Sequence, residues 1–472
     1  MAKNSNLHNA KAAKNDDFFT LLSDIEDELG HYWAHGVNHF EGKSVLMNCD
    51  NPKFSNFWVY FHKNFNKLKL TRIGAVHYSI SEPAYYKEYT GGNDIDITIG
   101  NEIELRGNGD FRSEECIEIL KGYDMVVTNP PFSLWREFIK QIVNYNKEFI
   151  VIGNTNAVTY KDIFPLFRDN KMWVGCTNFN TGMYFGVSDD FEYSKTYKCK
   201  REIDGKKVNR VPSCCWYTNI DLEKHHDYIT LYREYNDDDF PTYDNFNVIN
   251  VNKISEIPMD YFESFVLKQE SISKIVDTFT IYEDVYEMLD DIKNKVVKSK
   301  FIALNTNGEI KIPINKDNRR YTGEIIDKLE EAGIDLNTVV YRSGIIGVPV
   351  TFINKYCPEQ FKIIECTPVR SAKIWSNNHD YSYYKDFKRG KVVTNASADM
   401  PLLTTEKCGG TKCVRADGEV IYQLYHRIFI KPIIFVDTRL EVDKLSNDLL
   451  KILSLPGAIK QGLTYLRVVE NE

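Results

Sequence analysis

The chain contains no apolar run long enough to span a lipid bilayer, so membrane functions are set aside. Its composition, 43% hydrophobic and 27% charged residues, is that of an ordinary globular protein. Residues Met1 to Ser5 are polar and lack the apolar stretch and cleavage site of a secretory signal, so we expect a cytoplasmic location. The 472 residues are enough for one large core or for two or three domains.

The chain has fewer basic than acidic residues, and its cysteines show no regular spacing. The formal net charge of −8 excludes a surface that is basic everywhere, although a nucleic-acid-binding protein needs only a local basic face. Ten cysteines are scattered without a repeated spacing, which indicates mostly reduced thiols. Cys408 and Cys413, with Cys214 and Cys215, lack the spacing of a zinc knuckle and a well-placed histidine, so no metal site is expected.

The first half of the chain alternates between helical and strand-like patterns. Helices are predicted at 14–32, 56–68, 113–121 and 133–145, and strands at 43–50, 71–78, 124–128, 148–153, 172–175, 183–187 and 214–219. A variable, polar stretch at 79–105 interrupts the alternation. The pattern predicts an α/β fold with a mostly parallel sheet and helices on both faces. Ligand chemistry in such a sheet belongs at the carboxyl ends of the strands.

Beyond residue 264 the pattern changes. Helices are expected at 271–299 and 322–333, with a hairpin at 301–314 around Asn307-Gly308. This segment has three alternative roles. Glu309-Ile310-Lys311 is compatible with a nuclease, and the other two are a DNA-contacting module and a surface elaboration. We expect a catalytic domain over residues 1–263, an inserted module over 264–342, and a C-terminal DNA-recognition region with a tail over 343–472.

The most specific motif is Asn129-Pro130-Pro131-Phe132, which directly follows the predicted strand 124–128. The N6 of adenine is a poor nucleophile because its lone pair is delocalised into the ring. An Asn side-chain oxygen and the first proline's carbonyl, each accepting an N6 hydrogen, favour a more tetrahedral nitrogen and stabilise the developing charge. Two prolines fix the backbone so that this carbonyl does not join a helix. The motif therefore predicts methyl transfer to an amino group.

Phe132 offers a flat face on which a purine can stack, at roughly 1–3 kcal/mol per base. A base inside a duplex cannot reach such a pocket, so the target has to be flipped out. The alternative interpretation of Asn-Pro-Pro is a plain turn, and the position after a buried strand favours the catalytic one. Trp173, Tyr184 and Phe185 are either further stacking residues or core.

A glycine-rich segment, GNGDF at 107–111, precedes the same strand by one short helix. An acid followed by an aromatic at a strand end can accept a hydrogen bond from a cofactor's adenine amine and cover its ring. The alternative is a turn in which Asp110 caps the following helix. Both interpretations stay open on this segment alone.

Basic and aromatic residues interleave between 366 and 431, including Arg370, Lys373, Lys388 and Arg389. Their functional interpretation is phosphate contact and base readout, and the alternative is an ordinary solvated face. The catalytic half supplies no evident basic surface of its own, which favours DNA contact by this C-terminal stretch.

Seven segments in order resemble the EcoRI-type adenine-specific DNA methyltransferases. They are DDFFT (16–20), GKSVLMNCDNPKFSNFWVYF (42–61), GDFRS (109–113), VVTNPPFSLWREF (126–138), NAVTYKDIFPL (156–166), YDNFNVINVNKISEIPMDY (243–261) and GVPVTFINKYCPEQF (347–361). The resemblance covers most of 1–263 and resumes at about 343–431. It implies a Rossmann-like methyltransferase fold, S-adenosylmethionine as donor, duplex DNA as substrate, and a restriction endonuclease acting separately.

The resemblance also implies roles for single residues. The catalytic positions are Asn129, Pro130 and Phe132, and the cofactor positions are Asp110, Phe111, Asn48, Asp50, Phe18 and Thr20. The loop after the first predicted strand lacks the glycines of most methyltransferases, and His77 and Tyr78 stand where an acid commonly binds ribose. Two other functions use the same motif or fold: methylation of RNA adenine or a protein glutamine, and DNA binding by an inactive relative.

Overall fold

The computed structural model describes residues 19–194, 196–268, 304–306, 309–313, 337, 339–368, 384–386, 391–393, 400–404, 411–415 and 419–433. The chain divides into two compact units, Met1–His225 and His226–Glu472. The expected domain boundaries at 263 and 342 stay a prediction. None of the helices in these ranges is long and apolar enough to cross a membrane.

Helices and strands alternate in the first unit. The α-helices are α1 (Leu22–Gly30), α2 (Asn56–Lys63), α3 (Glu114–Lys121), α4 (Trp135–Asn144) and α5 (Phe164–Arg168), with 3-10 turns at Thr155–Thr159 and Glu223–His226. The strands are β1 (Phe19–Thr20), β2 (Ser44–Met47), β3 (Arg72–His77), β4 (Tyr85–Tyr89), β5 (Asn101–Glu104), β6 (Met125–Thr128), β7 (Glu148–Asn154), β8 (Trp173–Val174), β9 (Met183–Gly186), β10 (Glu202–Ile203), β11 (Lys206–Val211) and β12 (Cys214–Thr218).

An eight-stranded sheet with the order β5-β4-β3-β2-β6-β7-β12-β8 forms the centre of this unit. The neighbours β3, β2, β6 and β7 are parallel. The pairs β3–β4, β4–β5, β7–β12 and β12–β8 are antiparallel. The sheet is therefore mixed, and the expected parallel arrangement holds for its four central strands. All residues of β2 and β6 are buried, as expected for strands covered on both faces.

The core of the first unit lies where apolar side chains of α1 and aromatic side chains of α2 pack with the sheet. Tyr32, Trp58, Phe61 and Trp216 are each 0% exposed and belong to one buried cluster. Ser55 caps the N-terminus of helix α2, because its Oγ accepts a hydrogen bond from the Phe57 backbone N–H at 3.1 Å. The loop after β2 is therefore anchored by the strand at one end and by the capped helix at the other.

A smaller sheet with the order β1-β9-β11-β10 completes the unit. Strand β1 occupies residues for which the sequence predicted a helix, and α1 begins three residues later than β1. These residues form a strand because they pair with β9, which is distant in sequence, so that Thr20 lies opposite Phe185. Residues 14–18 of the predicted helix lie outside the described ranges.

Among the described residues of the second unit, the strands pair antiparallel except for β13 and β18, which pair parallel. Its strands are β13 (Ile249–Asn250), β14 (Glu263–Lys268), β15 (Leu304–Thr306), β16 (Glu309–Pro313), β17 (Val339–Ser343), β18 (Ile346–Pro349), β19 (Phe361–Cys366), β20 (Tyr384–Asp386), β21 (Lys391–Val393), β22 (Leu402–Leu403), β23 (Thr411–Arg415), β24 (Val420–Gln423) and β25 (Arg427–Pro432), with 3-10 turns at Ile254–Glu256 and Val350–Lys355. The sheets have the orders β13-β18-β25-β19, β15-β16-β14-β17 and β21-β20-β23-β24-β22.

The hairpin predicted around Asn307-Gly308 is confirmed, because β15 and β16 pair antiparallel with Thr306 opposite Glu309. The sheet that contains this hairpin is formed by strands between residues 263 and 343. The helices predicted at 271–299 and 322–333 lie outside the described residues, as do the side chains of Glu309 and Lys311.

Candidate active site

The centre of the large sheet contains a change of direction in chain order. From β2 the chain passes to β3 on one side, and later to β6 on the other side of β2. Because these strands are parallel, their carboxyl ends lie on one edge of the sheet. In open α/β sheets, ligands bind at such a switch point, outside the carboxyl ends of the strands. The loops that leave β2 and β6 there begin with Asn48 and Asn129.

Asp50 connects these two loops. Its Oδ1 accepts a hydrogen bond from the Ser55 hydroxyl at 2.9 Å, and its Oδ2 accepts one from the Thr128 hydroxyl at the end of β6. The backbone N–H of Asn129 also donates to this carboxyl group. Burial raises the pKa of Asp50 to about 6, against these hydrogen bonds, which lower it. These contacts give Asp50 a role in positioning the peptide before Asn129, whereas its predicted contact with a cofactor stays a prediction.

The pKa of Asp50 leads to a pH prediction. The ionised carboxylate accepts all three hydrogen bonds, and protonation removes acceptor capacity, so the Asn129 peptide loses part of its support below pH 6. We expect the methyl transfer predicted from the motif to slow in the wild-type protein as the pH drops through about 6, and to be slower but independent of pH in Asp50→Asn across that range. Single-turnover rates between pH 5 and 8 measure this. An unchanged inflection in Asp50→Asn would assign it to another group.

The motif after β6 lies at the switch point of the sheet. Asn129 and Phe132 are half-buried, and Pro130 is buried. The carbonyl of Pro131 accepts from the Leu134 backbone N–H at 3.0 Å and so belongs to the turn that starts α4. Within the described residues no backbone N–H donates to the carbonyl of Pro130. Phe132 packs against the core cluster and is partly exposed, and the predicted roles of Pro130 and Phe132 stay predictions.

The segment GNGDF lies at the carboxyl end of β3. The Ser79 backbone N–H donates to the Asn108 carbonyl at 2.9 Å. Gly109 has a φ of +77°, and a Cβ there would lie 2.5 Å from the carbonyl oxygen of His77, so this close approach requires glycine. The structure thus brings Asp110 to the same sheet edge as Asn48 and Asn129.

The side chains of this segment are already engaged. The carboxylate of Asp110 accepts from Nη2 and Nε of Arg112 at 2.7 and 3.0 Å, and the Arg112 guanidinium lowers the pKa of Asp110. Phe111 is 5% exposed, and its ring packs edge-on against Phe138 with 5.2 Å between centroids. Phe111 therefore packs in the core, and its predicted contact with a cofactor stays a prediction. The predicted binding role of Asp110 stays untested.

Two buried oxygen atoms near the loop after β2 have unmet hydrogen-bonding capacity. Asn48 is 3% exposed and Thr20 is 5% exposed, and within the described chain no donor reaches Asn48 Oδ1 and no partner reaches Thr20 Oγ1. The Asn56 side chain donates to the Thr20 carbonyl at 2.7 Å, which ties β1 to the start of α2. Buried polar atoms are nearly always satisfied, so an ordered water or a ligand is expected to donate to these two oxygens. Phe18 lies outside the described residues.

Sequence reasoning missed Asp24, which lies in the first turn of α1. Its Oδ2 is buried without a partner among the described residues. Burial, and secondarily Asp27, raise the pKa of Asp24 to about 6. In the sequence, Asp24 is one of several acidic residues of a predicted helix, and the sequence does not show which of them is buried.

The other predicted positions fall into two groups. Trp173 stacks on His225 with 4.9 Å between ring centroids and, like Phe185, is buried, so both are core residues, and Tyr184 is half-buried. The predicted DNA-binding residues Arg370, Lys373, Lys388 and Arg389 lie outside the described residues. In the part of the chain that the structure describes, no cluster of three or more His, Cys, Asp and Glu side chains is placed to hold a metal ion.

Comparisons of the sequence with known proteins identify relatives along most of the chain. M.EcoRI, a type II methyltransferase of Escherichia coli, is 40% identical over 275 residues, which are 55% of this chain and 82% of that protein. The type II methyltransferase M.MgeORF184P of Mycoplasma genitalium is 34% identical over 327 residues, 68% of this chain and 97% of that protein. M.MpnI, a type II methyltransferase of Mycoplasma pneumoniae, is 37% identical over 259 residues, 54% of this chain and 77% of that protein.

No solved structure matches the chain. A family model described as the adenine-specific methyltransferase EcoRI matches residues 6–328 and 319–431. These matched ranges include every described residue around Asn48, Asp110 and Asn129, and they confirm the resemblance found in the sequence. The chain therefore belongs to the EcoRI family of adenine-specific methyltransferases.

Proposed function

We propose that this enzyme transfers a methyl group from S-adenosylmethionine to N6 of a flipped-out adenine at a specific sequence of duplex DNA, as the modification enzyme of a restriction-modification system. Family membership makes it an adenine-specific methyltransferase. The observation that carries the rest is the position of Asn129-Pro130-Pro131-Phe132 at the carboxyl end of β6, beside the switch point of the sheet. Ligand binding at this edge gives the motif access to a substrate.

The chain's own groups perform three tasks in this proposal. The side-chain oxygen of Asn129 and the carbonyl of Pro130 each accept a hydrogen bond from the N6 amino group. The nitrogen lone pair is then less delocalised into the ring and becomes a better nucleophile for the methyl group. This stabilisation is strongest where positive charge develops on nitrogen, and it acts on the transition state. Phe132 stacks on the flipped base, and Asp50 holds the peptide that carries Asn129.

Several oxygen atoms of the first unit fit a sulfonium donor. S-adenosylmethionine carries an ammonium group, two ribose hydroxyls and an adenine amine, all hydrogen-bond donors, and supplies the electrophilic methyl group when bound. Asn48 Oδ1, Thr20 Oγ1 and Asp24 Oδ2 are buried oxygens that lack partners among the described residues and can accept from such donors. Asp110, at the carboxyl end of β3, is a further candidate.

Asn48 gives a test of this assignment. Because its Oδ1 has no partner in the described chain, Asn48→Ala removes no internal hydrogen bond of that oxygen, and we expect the melting temperature to stay within a few degrees of wild type. The dissociation constant for S-adenosylmethionine should rise about tenfold, as for the loss of one hydrogen bond to a ligand. Calorimetric titration measures the affinity, and Asn66→Ala serves as an exposed control. Unchanged affinity together with a lower melting temperature would make Asn48 structural.

Methyl transfer with a tritiated donor tests the function itself. The purified enzyme is incubated separately with duplex DNA, total RNA and a protein extract, and we expect label on DNA alone. Sequencing that detects N6-methyladenine in DNA from cells expressing the chain then identifies the modified site. Label on RNA or on protein glutamine, with none on DNA, contradicts the proposal, and no label with any acceptor favours an inactive DNA-binding relative.

A further inference from the structure

A strongly basic hairpin belongs to the same unit as the candidate active site. We define the basic hairpin as residues 198–210, which contain six cations and two carboxylates, a formal charge of +4 in a chain whose net charge is −8. The cations are Lys198, Lys200, Arg201, Lys206, Lys207 and Arg210. The charge is therefore concentrated locally, although the composition of the whole chain hides it.

The basic hairpin is built as a rigid element. Strands β10 and β11 are joined by Asp204 and Gly205, whose φ angles of +50° and +73° fit a tight two-residue turn. Two tyrosines fix its remaining backbone. The hydroxyl of Tyr193 donates to the carbonyls of Arg201 and Val208 at 2.9 and 2.8 Å, and the hydroxyl of Tyr197 donates to the Lys200 carbonyl at 2.9 Å.

Four of the six cations of the basic hairpin are presented to solvent, whereas Lys207 and Arg210 are half-buried and donate hydrogen bonds to the carbonyls of Asp189 and Thr181. Lys198, Lys200, Arg201 and Lys206 are exposed. Within the described ranges none of the six cations forms an ion pair with a carboxylate, whereas other exposed cations of this unit do, such as Lys69 with Glu41 at 2.8 Å. A cluster of cations without carboxylate partners repels itself, and an anionic partner would relieve that repulsion.

The position of the basic hairpin relates it to the site. Strand β11 pairs with β9, and β9 pairs with β1, so that Asn209, Phe185 and Thr20 lie side by side across three strands. Thr20 is one of the buried residues assigned above to the cofactor subsite. The same small sheet therefore carries part of that subsite on one strand and the basic hairpin two strands away.

We infer that the basic hairpin binds the phosphate backbone of the DNA duplex beside the target adenine. The inference rests on the proposed function, and it assigns to the catalytic unit a DNA contact that sequence reasoning placed only in the C-terminal region. Lysine and arginine side chains on a rigid element neutralise phosphates and fix the position of a duplex without reading its sequence. The hairpin therefore contributes affinity for duplexes of any sequence.

A matched pair of triple variants tests this inference. The first replaces Lys198, Lys200 and Lys206 with Gln, and the control replaces the exposed Lys63, Lys140 and Lys171 with Gln, so both lose three charges. We expect the hairpin variant to weaken duplex binding on the order of 10- to 100-fold, and to reduce the slope of log K against log salt by about 2 to 3. The control should stay within twofold of wild type. A third variant, with Arg at the three hairpin positions, should bind as wild type.

The kinetic readout separates binding from chemistry. The hairpin variant should show a raised KM for DNA, with kcat at saturating DNA and the affinity for S-adenosylmethionine unchanged. Its affinity should fall equally for target and non-target duplexes. Equal effects of the hairpin and control variants, an unchanged salt slope, or a loss confined to the target sequence would each overturn the inference while wild-type DNA methylation stands. If the wild-type enzyme fails to label DNA, the proposed function itself fails.

Discussion

Asn129→Ala is expected to lower kcat by a factor on the order of 10² to 10³, and to leave the dissociation constant for DNA within about twofold of wild type. The side-chain oxygen of Asn129 gains most of its interaction energy as N6 develops positive charge, which occurs in the transition state and not in the bound complex. A loss of this kind lowers kcat and kcat/KM together. Rapid-quench single-turnover assays measure the methyl-transfer step, and fluorescence anisotropy of labelled duplex measures binding.

A matched control for this variant is Asn66→Ala, an exposed asparagine that follows α2. It should leave both turnover and binding unchanged, because it lies in no contact that the site uses. Asn129→Ala is also expected to keep the wild-type melting temperature within a few degrees, since the residue follows the strand rather than filling the core. An equal loss of DNA binding and turnover, or a melting temperature lowered by more than ten degrees, would assign Asn129 to packing instead of catalysis.

The central strands and helices of the first unit could be predicted from the sequence because each is a local pattern. Strand β6 was expected at 124–128 and spans Met125–Thr128, and helix α4 was expected at 133–145 and spans Trp135–Asn144. Continuous apolar runs mark strands that are buried on both faces, and a period near 3.6 marks amphipathic helices. Both signals are complete within about ten residues.

The edges of the sheet could not be predicted in the same way. Strands β4 and β5 lie in the stretch 79–105, which carries no regular apolar pattern, and the four residues of β5 are all exposed. Their position depends on pairing with β3, which lies earlier in the chain. The same holds for β1, where pairing with β9 overrides the helical pattern at Thr20.

In the candidate site, too, residues of a local motif could be predicted, whereas contacts between distant residues could not. Asn129 and Pro130 were found because the chemistry requires those residue types side by side after a strand. The contact of Asp50 with the Thr128 hydroxyl joins residues 78 positions apart, so no spacing in the sequence indicates it. The basic hairpin cannot be recognised from the net charge of the chain, because acidic residues elsewhere outweigh the six cations of residues 198–210.

A fully buried carboxyl group on α1 supports the loop that leads into β9. Glu28 is 0% exposed, and its Oε1 accepts from the Cys176 backbone N–H at 2.7 Å and from the Tyr32 hydroxyl at 3.2 Å. Its Oε2 accepts from the backbone N–H and the hydroxyl of Thr177, both at 2.7 Å. Gly175 passes so close that a Cβ there would lie 2.4 Å from Glu28 Oε1. One side chain thus satisfies two backbone donors of a loop that has no strand partner at these residues.

Glu28→Ala is expected to lower the free energy of unfolding by about 3 kcal/mol or more, because it leaves two buried N–H groups and two hydroxyls without their acceptor and opens a cavity. Glu28→Gln keeps one acceptor oxygen and places an amide donor against the other N–H, so its loss should be intermediate. The exposed Glu26 on the same helix gives the control, and Glu26→Ala should change stability by less than about 0.5 kcal/mol. Urea denaturation followed by tryptophan fluorescence measures all three variants.

Since the loop held by Glu28 continues into β9, which pairs with Thr20, Glu28→Gln should also weaken binding of S-adenosylmethionine. Equal stability of Glu28→Ala and Glu26→Ala would show that the loop is held by its other contacts.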